Sequence, residues 1–121
     1  MKEVRIAFGL LIFTFLAVII NSVALRASFE ELYKMVDAAE IEPAAAVGDY
    51  TEIFEHFKKK EPFISLTVNH EDLTAVEDAF AEIIGAAKAD DKEAIITIKS
   101  RLISSIEHLK RLAGINIESI L

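Results

Sequence analysis

The residues best suited to chemistry in this chain stand together in one short segment, Asn69-His70-Glu71-Asp72. His and carboxylate side chains ligate divalent cations when several converge, usually at helical spacings of three or four residues. His70 and Glu71 are therefore candidate metal ligands, with Asn69 as a polar neighbour. The favoured interpretation is a helix start, because an Asn side chain caps free backbone N–H groups and the helix dipole stabilises acidic residues in the first turn.

Other catalytic chemistries lack a matching pattern. The 121 residues contain no Cys, which excludes disulfides, thiolate metal sites and cysteine nucleophiles. The four Gly residues form no phosphate-cradling loop, and no strand-turn-helix nucleophile turn accompanies the Ser and His residues. His56 and His108 each stand beside one Glu and are expected on the surface. The sequence predicts no catalytic residue and no cofactor, so an enzyme is the least favoured function.

The element that must position every other residue is an uncharged N-terminal segment, residues 6–25. As a helix rising 1.5 Å per residue it is about 30 Å long, the thickness of a bilayer's hydrocarbon core. Lys2 and Arg5 precede it, and mostly acidic residues follow Arg26, so the positive-inside rule places the N-terminus in the cytoplasm. We therefore predict a cytoplasmic tip and transmembrane anchor over residues 1–25 and an extracytoplasmic domain over residues 26–121.

A cleaved signal peptide is the alternative interpretation of this segment. Ser22-Val23-Ala24 fits a small-x-small cleavage pattern. The apolar run is longer than the usual 7–15-residue core of a signal peptide, which favours an uncleaved anchor.

One face of the span is small or polar. At heptad spacing the chain reads Ala7, Leu10, Thr14, Ala17, Asn21, Ala24 and Ser28. In lipid, small residues allow close helix approach, and Thr or Asn side chains hydrogen-bond between helices. We expect this stripe either to dock on another transmembrane helix, from an integral membrane protein or a second copy, or to consist of ordinary membrane-helix residues with Asn21 near the headgroups.

Helical periodicity continues beyond the span and predicts an all-α domain, a small three- to four-helix bundle. An apolar stripe leads directly out of the span, and Pro43 is expected to end or kink that helix. Gly48 predicts a helix C-cap, and Asp49 predicts the N-cap of the next helix, which Pro62 is expected to interrupt. Asn69 and Asp90-Asp91 predict two further helix starts, and Gly114 predicts the end of the last helix. The predicted core stripes are Leu25, Phe29, Leu32 and Val36; Tyr50, Ile53, Phe54 and Phe57; Leu73, Val76, Phe80, Ile83, Ile84 and Ala87; and Ala94, Ile95, Ile98, Leu102, Ile106, Leu109 and Ala113.

Two further patterns concern partners. Ile96 and Ile103 lie off the main stripe of the last helix, so they either pack on a second neighbour within the bundle, the favoured interpretation, or form an exposed patch for a partner. With 13 basic and 20 acidic residues, the net charge of −7 opposes contact with phosphate backbones, so no nucleic-acid partner is expected.

Three motifs resemble a bacterial family known as domain of unknown function four-three-six-three. They are Gly48-Asp49-Tyr50, Asn69-His70-Glu71 and the tail Asn116-Ile117-Glu118-Ser119-Ile120-Leu121, with Tyr50 where the family pattern has Trp. The resemblance covers essentially the whole chain. It implies a single-pass membrane protein with an extracytoplasmic helical domain, a turn at the first motif and a membrane partner, and it assigns no activity.

Two functions follow as hypotheses. The leading one is an accessory or scaffolding subunit that binds an integral membrane protein, or itself, through its span and helical domain. The alternative is an extracytoplasmic ion- or solute-binding sensor module built around residues 69–72.

Overall fold

The structure, a computed structural model, describes the backbone of residues 1–120 and the side chains of residues 1–113. Four α helices follow one another along the chain: α1 Lys2–Ala38, α2 Pro43–Ile64, α3 His70–Lys88 and α4 Lys92–Ile120. The described residues include no β strand. The all-α prediction is confirmed.

Helix α1 continues without a break from an exposed half into a packed half. Residues 1–18 are exposed on every side, whereas the predicted stripe of Leu25, Phe29, Leu32 and Val36 is buried against the other helices. Over its most apolar stretch α1 is only 6% buried, unlike the core helix of a globular domain, and it is long and apolar enough to cross a membrane. Partial burial begins at Ile19, so the change in charge at residue 26 falls inside the packed region.

The second half of α1 and the other three helices form an antiparallel bundle. Lys99 at the start of α4 donates to the carbonyls of Asp37 and Ala39 at the end of α1, at 3.0 and 2.9 Å. Further along α4, Lys110 pairs with Glu30. Since residue numbers rise on α4 as they fall on α1, the two helices run in opposite directions, and α3 completes the bundle between α2 and α4.

Aromatic rings occupy the centre of the core. Phe80 of α3 stacks on Phe54 of α2, with ring centroids 5.3 Å apart, and tilts against Phe57 at 5.9 Å. Nearly all of the predicted stripe residues are buried, with Phe54, Ile84 and Ile98 partly buried around them. Helical periodicity therefore identified most of the core, whereas the buried residues Ala39, Ala46, Ile64 and Ala79 were not among the predicted stripes.

The connection between α1 and α2 differs from the prediction. The α1 helix ends at Ala38, and Pro43 becomes the first residue of α2, where its missing N–H costs no helical hydrogen bond. The cap predicted at Gly48 and Asp49 is wrong, because α2 continues through both residues. Asp49 Oδ2 instead accepts the backbone N–H of Glu40 at 3.0 Å and ties the connection to α2.

Two other predicted helix ends also shift. Pro62 lies inside α2, which ends two residues later at Ile64. The end predicted at Gly114 is wrong, since α4 continues to Ile120. Glycine costs a helix about 1 kcal/mol relative to Ala, a penalty that helix packing readily overrides.

The turn between α3 and α4 combines two caps. Backbone N–H groups of Asp90 and Asp91 donate to the carbonyls of Ala87 and Ala86, at 3.2 and 3.0 Å, which is the Schellman pattern. It requires a left-handed residue, and Asp90 has φ +59°. Asp91 then caps α4 by accepting the N–H of Ala94 at 3.1 Å.

Asp90→Gly is expected to raise the free energy of unfolding by up to about 1 kcal/mol, because glycine adopts left-handed backbone without the Cβ clash. Thermal unfolding of the detergent-solubilised full chain, followed by circular dichroism, measures the change. Asp91→Ala is the neighbouring control and should lower stability by about 1 kcal/mol through loss of the N-cap. A lower melting temperature for Asp90→Gly would contradict the assignment.

Candidate functional site

The small-residue stripe of α1 divides into a free part and a packed part. Ala7, Thr14, Ala17 and Ala24 are exposed, and no other described helix covers them. The Thr14 hydroxyl donates to the carbonyl of Leu10 at 2.9 Å, so its hydrogen bond is satisfied within α1. This part of the stripe presents small side chains suited to close helix packing, and its hydroxyl donor is already hydrogen-bonded.

Asn21 belongs to the packed part of the stripe. Its Nδ2 donates to Thr67 Oγ1 at 2.7 Å, a bond between residues 46 positions apart in the chain. Ser28, one heptad further, is half-buried against the bundle, and Ser22 is buried. The structure therefore uses Asn21 to hold the α2–α3 connection, residues 65–69, against the end of the span.

The polar segment that begins α3 adopts the predicted cap. Asn69 Oδ1 accepts the backbone N–H of Glu71 at 2.9 Å, and Glu71 and Asp72 occupy the first turn. His70 and Glu71 point outward and are exposed. Asp72 Oδ1 lies 3.7 Å from His108 Nε2 of α4. Among the described residues no three His or carboxylate side chains converge as a metal site requires.

A cavity of about 290 Å³ lies beside this segment, where α1, α3 and α4 meet the α2–α3 connection. Three of its lining residues are polar, Thr67, Asn69 and Asp72. The apolar lining residues are Leu25, Val68, Leu112 and Ala113. Two of the polar groups are already engaged, Thr67 by Asn21 and Asn69 by its cap. Its volume is at the lower limit for a small-molecule site.

A carboxyl pair that sequence reasoning missed lies between α2 and α3. Glu61 and Glu77 hydrogen-bond to each other, and Lys58 Nζ contacts them at 2.9 and 3.6 Å. The hydrogen bond to Glu61, with some burial, raises the pKa of Glu77, and the same bond followed by Lys58 lowers the pKa of Glu61. As the pH falls, Glu77 therefore takes up a proton before Glu61 does, and its protonated carboxyl donates to the Glu61 carboxylate. Lys58 and Glu61 at helical spacing are a visible signal in sequence, but Glu77 is not, because it belongs to another helix.

The other ionic groups of this region also join helices. Of the basic run at residues 58–60, Lys60 reaches across to Glu31 of α1 at 3.1 Å and lowers its carboxyl pKa. His56 lies 3.4 Å from the same carboxylate. The run therefore contacts neighbouring helices at two of its three positions and is more than a solvated helix end.

Ile96 and Ile103 have different surroundings. Ile103 is partly buried and packs on the core, as the favoured interpretation predicted. Ile96 is exposed, so the same interpretation is wrong for it. Of these two residues, Ile96 alone is exposed to a partner.

Comparison with known proteins returned no match: no family model, no curated protein and no solved structure resembles the chain. The family resemblance drawn from three motifs stays a prediction. In the structure, Gly48-Asp49-Tyr50 lies in the middle of α2 and forms no turn, whereas Asn69-His70-Glu71 begins α3. The tail Asn116-Ile117-Glu118-Ser119-Ile120-Leu121 lies outside the described side chains.

Glu77→Gln should stabilise the protein in a pH-dependent way. Because folding raises the pKa of Glu77, its protonated carboxyl stabilises the fold at pH values below the ordinary glutamate pKa of 4.5. This contribution is lost as the pH rises through the folded-state pKa of Glu77. A Gln amide keeps donating to Glu61 at any pH. The variant should therefore match the wild type below pH 4.5 and exceed it by up to about 1 kcal/mol at neutral pH. Melting curves at stepped pH measure the difference, and a constant offset would contradict proton sharing.

Thr67→Val should destabilise the full chain by about 1 kcal/mol, because it removes the acceptor of a partly buried donor, Asn21 Nδ2. Thr67→Ser keeps the hydroxyl and serves as the control. Equal melting temperatures for the two variants would show that this hydrogen bond contributes nothing.

Proposed function

We propose that this protein is a single-pass membrane protein whose span, residues 6–25, holds an acidic helical bundle on the extracytoplasmic side. The support comes from where apolar surface is exposed: among residues 1–113, thirteen of the sixteen exposed large hydrophobic side chains lie between Met1 and Val23. An exposed apolar rod of this length is costly in water and favourable in lipid. The basic residues before the rod and the acidic ones after it support a cytoplasmic N-terminus.

Packing also favours retention of the span over cleavage. Cutting after Ala24 would leave Leu25, which is fully buried, as the first residue of the mature chain. It would also remove Ser22 from the interior and Asn21 from its hydrogen bond with Thr67. The bundle would lose part of its own structure with the anchor, which is not expected of a signal peptide that serves only export.

We further propose that the protein is an accessory or scaffolding subunit of an integral membrane protein. The observation that carries this proposal is the unbroken course of α1 from the exposed stripe of Ala7, Thr14 and Ala17 into the bundle. Because the helix does not bend at a hinge, a partner docked on this stripe also meets a defined side of the bundle. Ile96 adds an exposed apolar contact on α4. Self-association through the same stripe is the homo-oligomeric form of this proposal.

Binding of an ion or small solute near residues 69–72 is the second candidate. The cavity between Leu25, Asn69 and Asp72 favours it, because a ligand there would touch the anchor helix and the bundle together. Such a module would act as a sensor.

Ala17→Leu should reduce co-purification of the membrane partner from native membranes in mild detergent, because the larger side chain prevents close helix approach. Ile12→Phe adds the same number of carbon atoms on the opposite face of α1 and should leave recovery unchanged. Equal recovery of the partner with both variants would remove the stripe from the interface.

The sensor alternative predicts that an added divalent metal raises the melting temperature of the protein purified alone, and that His70→Ala abolishes the shift. Glu93→Ala, in the first turn of α4, is a control that keeps the region intact. A wild-type melting temperature that no divalent metal changes would exclude the metal-binding form of this alternative.

A further inference from the structure

The bundle exposes few large apolar side chains, and two of the three lie at one end. Among residues 26–113 only Phe63, Leu66 and Ile96 are exposed large hydrophobics, at 38%, 81% and 48%. Phe63 and Leu66 lie at the end of α2 and in the α2–α3 connection, whereas Ile96 is near the start of α4. Leu66 is more exposed than any large hydrophobic side chain of the span, residues 6–25.

The α2–α3 connection is level with the end of the uncharged segment. Thr67 is hydrogen-bonded to Asn21, and Val68 shares a cavity wall with Leu25. Asn21 precedes Leu25 by four residues, so the connection meets α1 about 6 Å inside the outer end of the uncharged segment. At that level the span exposes Ile20 and Val23.

We propose that the α2–α3 connection is a second membrane contact, in which Phe63 and Leu66 enter the headgroup–acyl boundary of the outer leaflet. The inference rests on the proposed function in one respect, namely that α1 spans the bilayer. Given that span, lipid is the occupant at this height beside Ile20 and Val23. An apolar side chain beside it gains by burial in the same phase.

The local arrangement of side chains fits a shallow insertion. Along the connection Ile64 is buried and Val68 is partly buried, while Phe63 and Leu66 turn outward. Glu61 precedes this segment and Glu71 follows it, and carboxylates remain in water or among the headgroups. The acidic flanks thus limit insertion to the tip of the connection.

Two attachment points constrain the orientation of the bundle more than a single attachment point does. A single span leaves the domain free to rotate about the helix axis, whereas a tip fixed in the lipid beside α1 sets both its tilt and its distance from the surface. The Asn21–Thr67 hydrogen bond joins the two attachments.

Tryptophan fluorescence provides the test, because the chain contains no Trp. Leu66→Trp and, independently, Phe63→Trp are made in the full chain and reconstituted in phosphatidylcholine vesicles with and without acyl chains brominated near the headgroup. Both substitutions change exposed side chains and keep the fold. We expect shorter-wavelength emission and several-fold stronger quenching than for Ile96→Trp, an exposed position at the far end of the bundle.

Phe13→Trp in the middle of the span separates the two ways of failing. If quenching by lipids brominated deeper in the acyl chain is strong for Phe13→Trp while both connection variants behave like Ile96→Trp, the second contact is wrong and the anchor stands. If Phe13→Trp is not quenched either, the span itself is wrong, and the inference is overturned with it.

Discussion

The structure depends on one constraint, the continuity of α1 from an exposed apolar half into the core of the bundle. Its first half carries charge only at Lys2, Glu3 and Arg5 and is exposed through residue 18, and its second half supplies one side of the bundle core. The two halves share a single backbone hydrogen-bond ladder, which pairs the backbone groups of α1 where its exposed half meets the bundle. Everything attached to the second half is thereby held at a fixed height and rotation relative to the first.

The bundle uses its polar groups mainly to maintain its own connections. Asp49 holds the α1–α2 connection, Asn69 caps α3, and Asp90 and Asp91 form the α3–α4 turn. Salt bridges between helices, such as those of Glu31 and Lys60 or Lys58 and Glu77, link surfaces that the core already brings together. Exposed pairs of this kind add little stability each, so they determine register more than strength.

Two of the candidate site residues are also used to hold the fold together. Asn21 was a candidate for contact with another membrane helix, and Asn69 for contact with a ligand, yet both side chains bond within the chain. The surfaces left for a partner are apolar: the free part of the α1 stripe, Ile96, and the tip of the α2–α3 connection. Apolar surface of this kind is consistent with the protein and lipid contacts proposed above.

The sequence by itself determined the features that depend on local spacing. The apolar segment, the four core stripes, and the caps at Asn69 and Asp91 follow from side-chain periodicity and from bonds between residues at most a few positions apart. Gly48 and Gly114 were wrong as helix ends, because both lie within helices. At Gly48 the burial of Ala46 and Tyr50 on either side outweighs the small propensity cost of glycine. Only the tertiary structure decided which distant residues meet, as in the Asn21–Thr67 bond, the Glu61–Glu77 pair and the level of Leu66 beside the span. Those contacts depend on which helices pair and on how far each is shifted along its neighbour. Neither can be read from the spacing of residues along the chain.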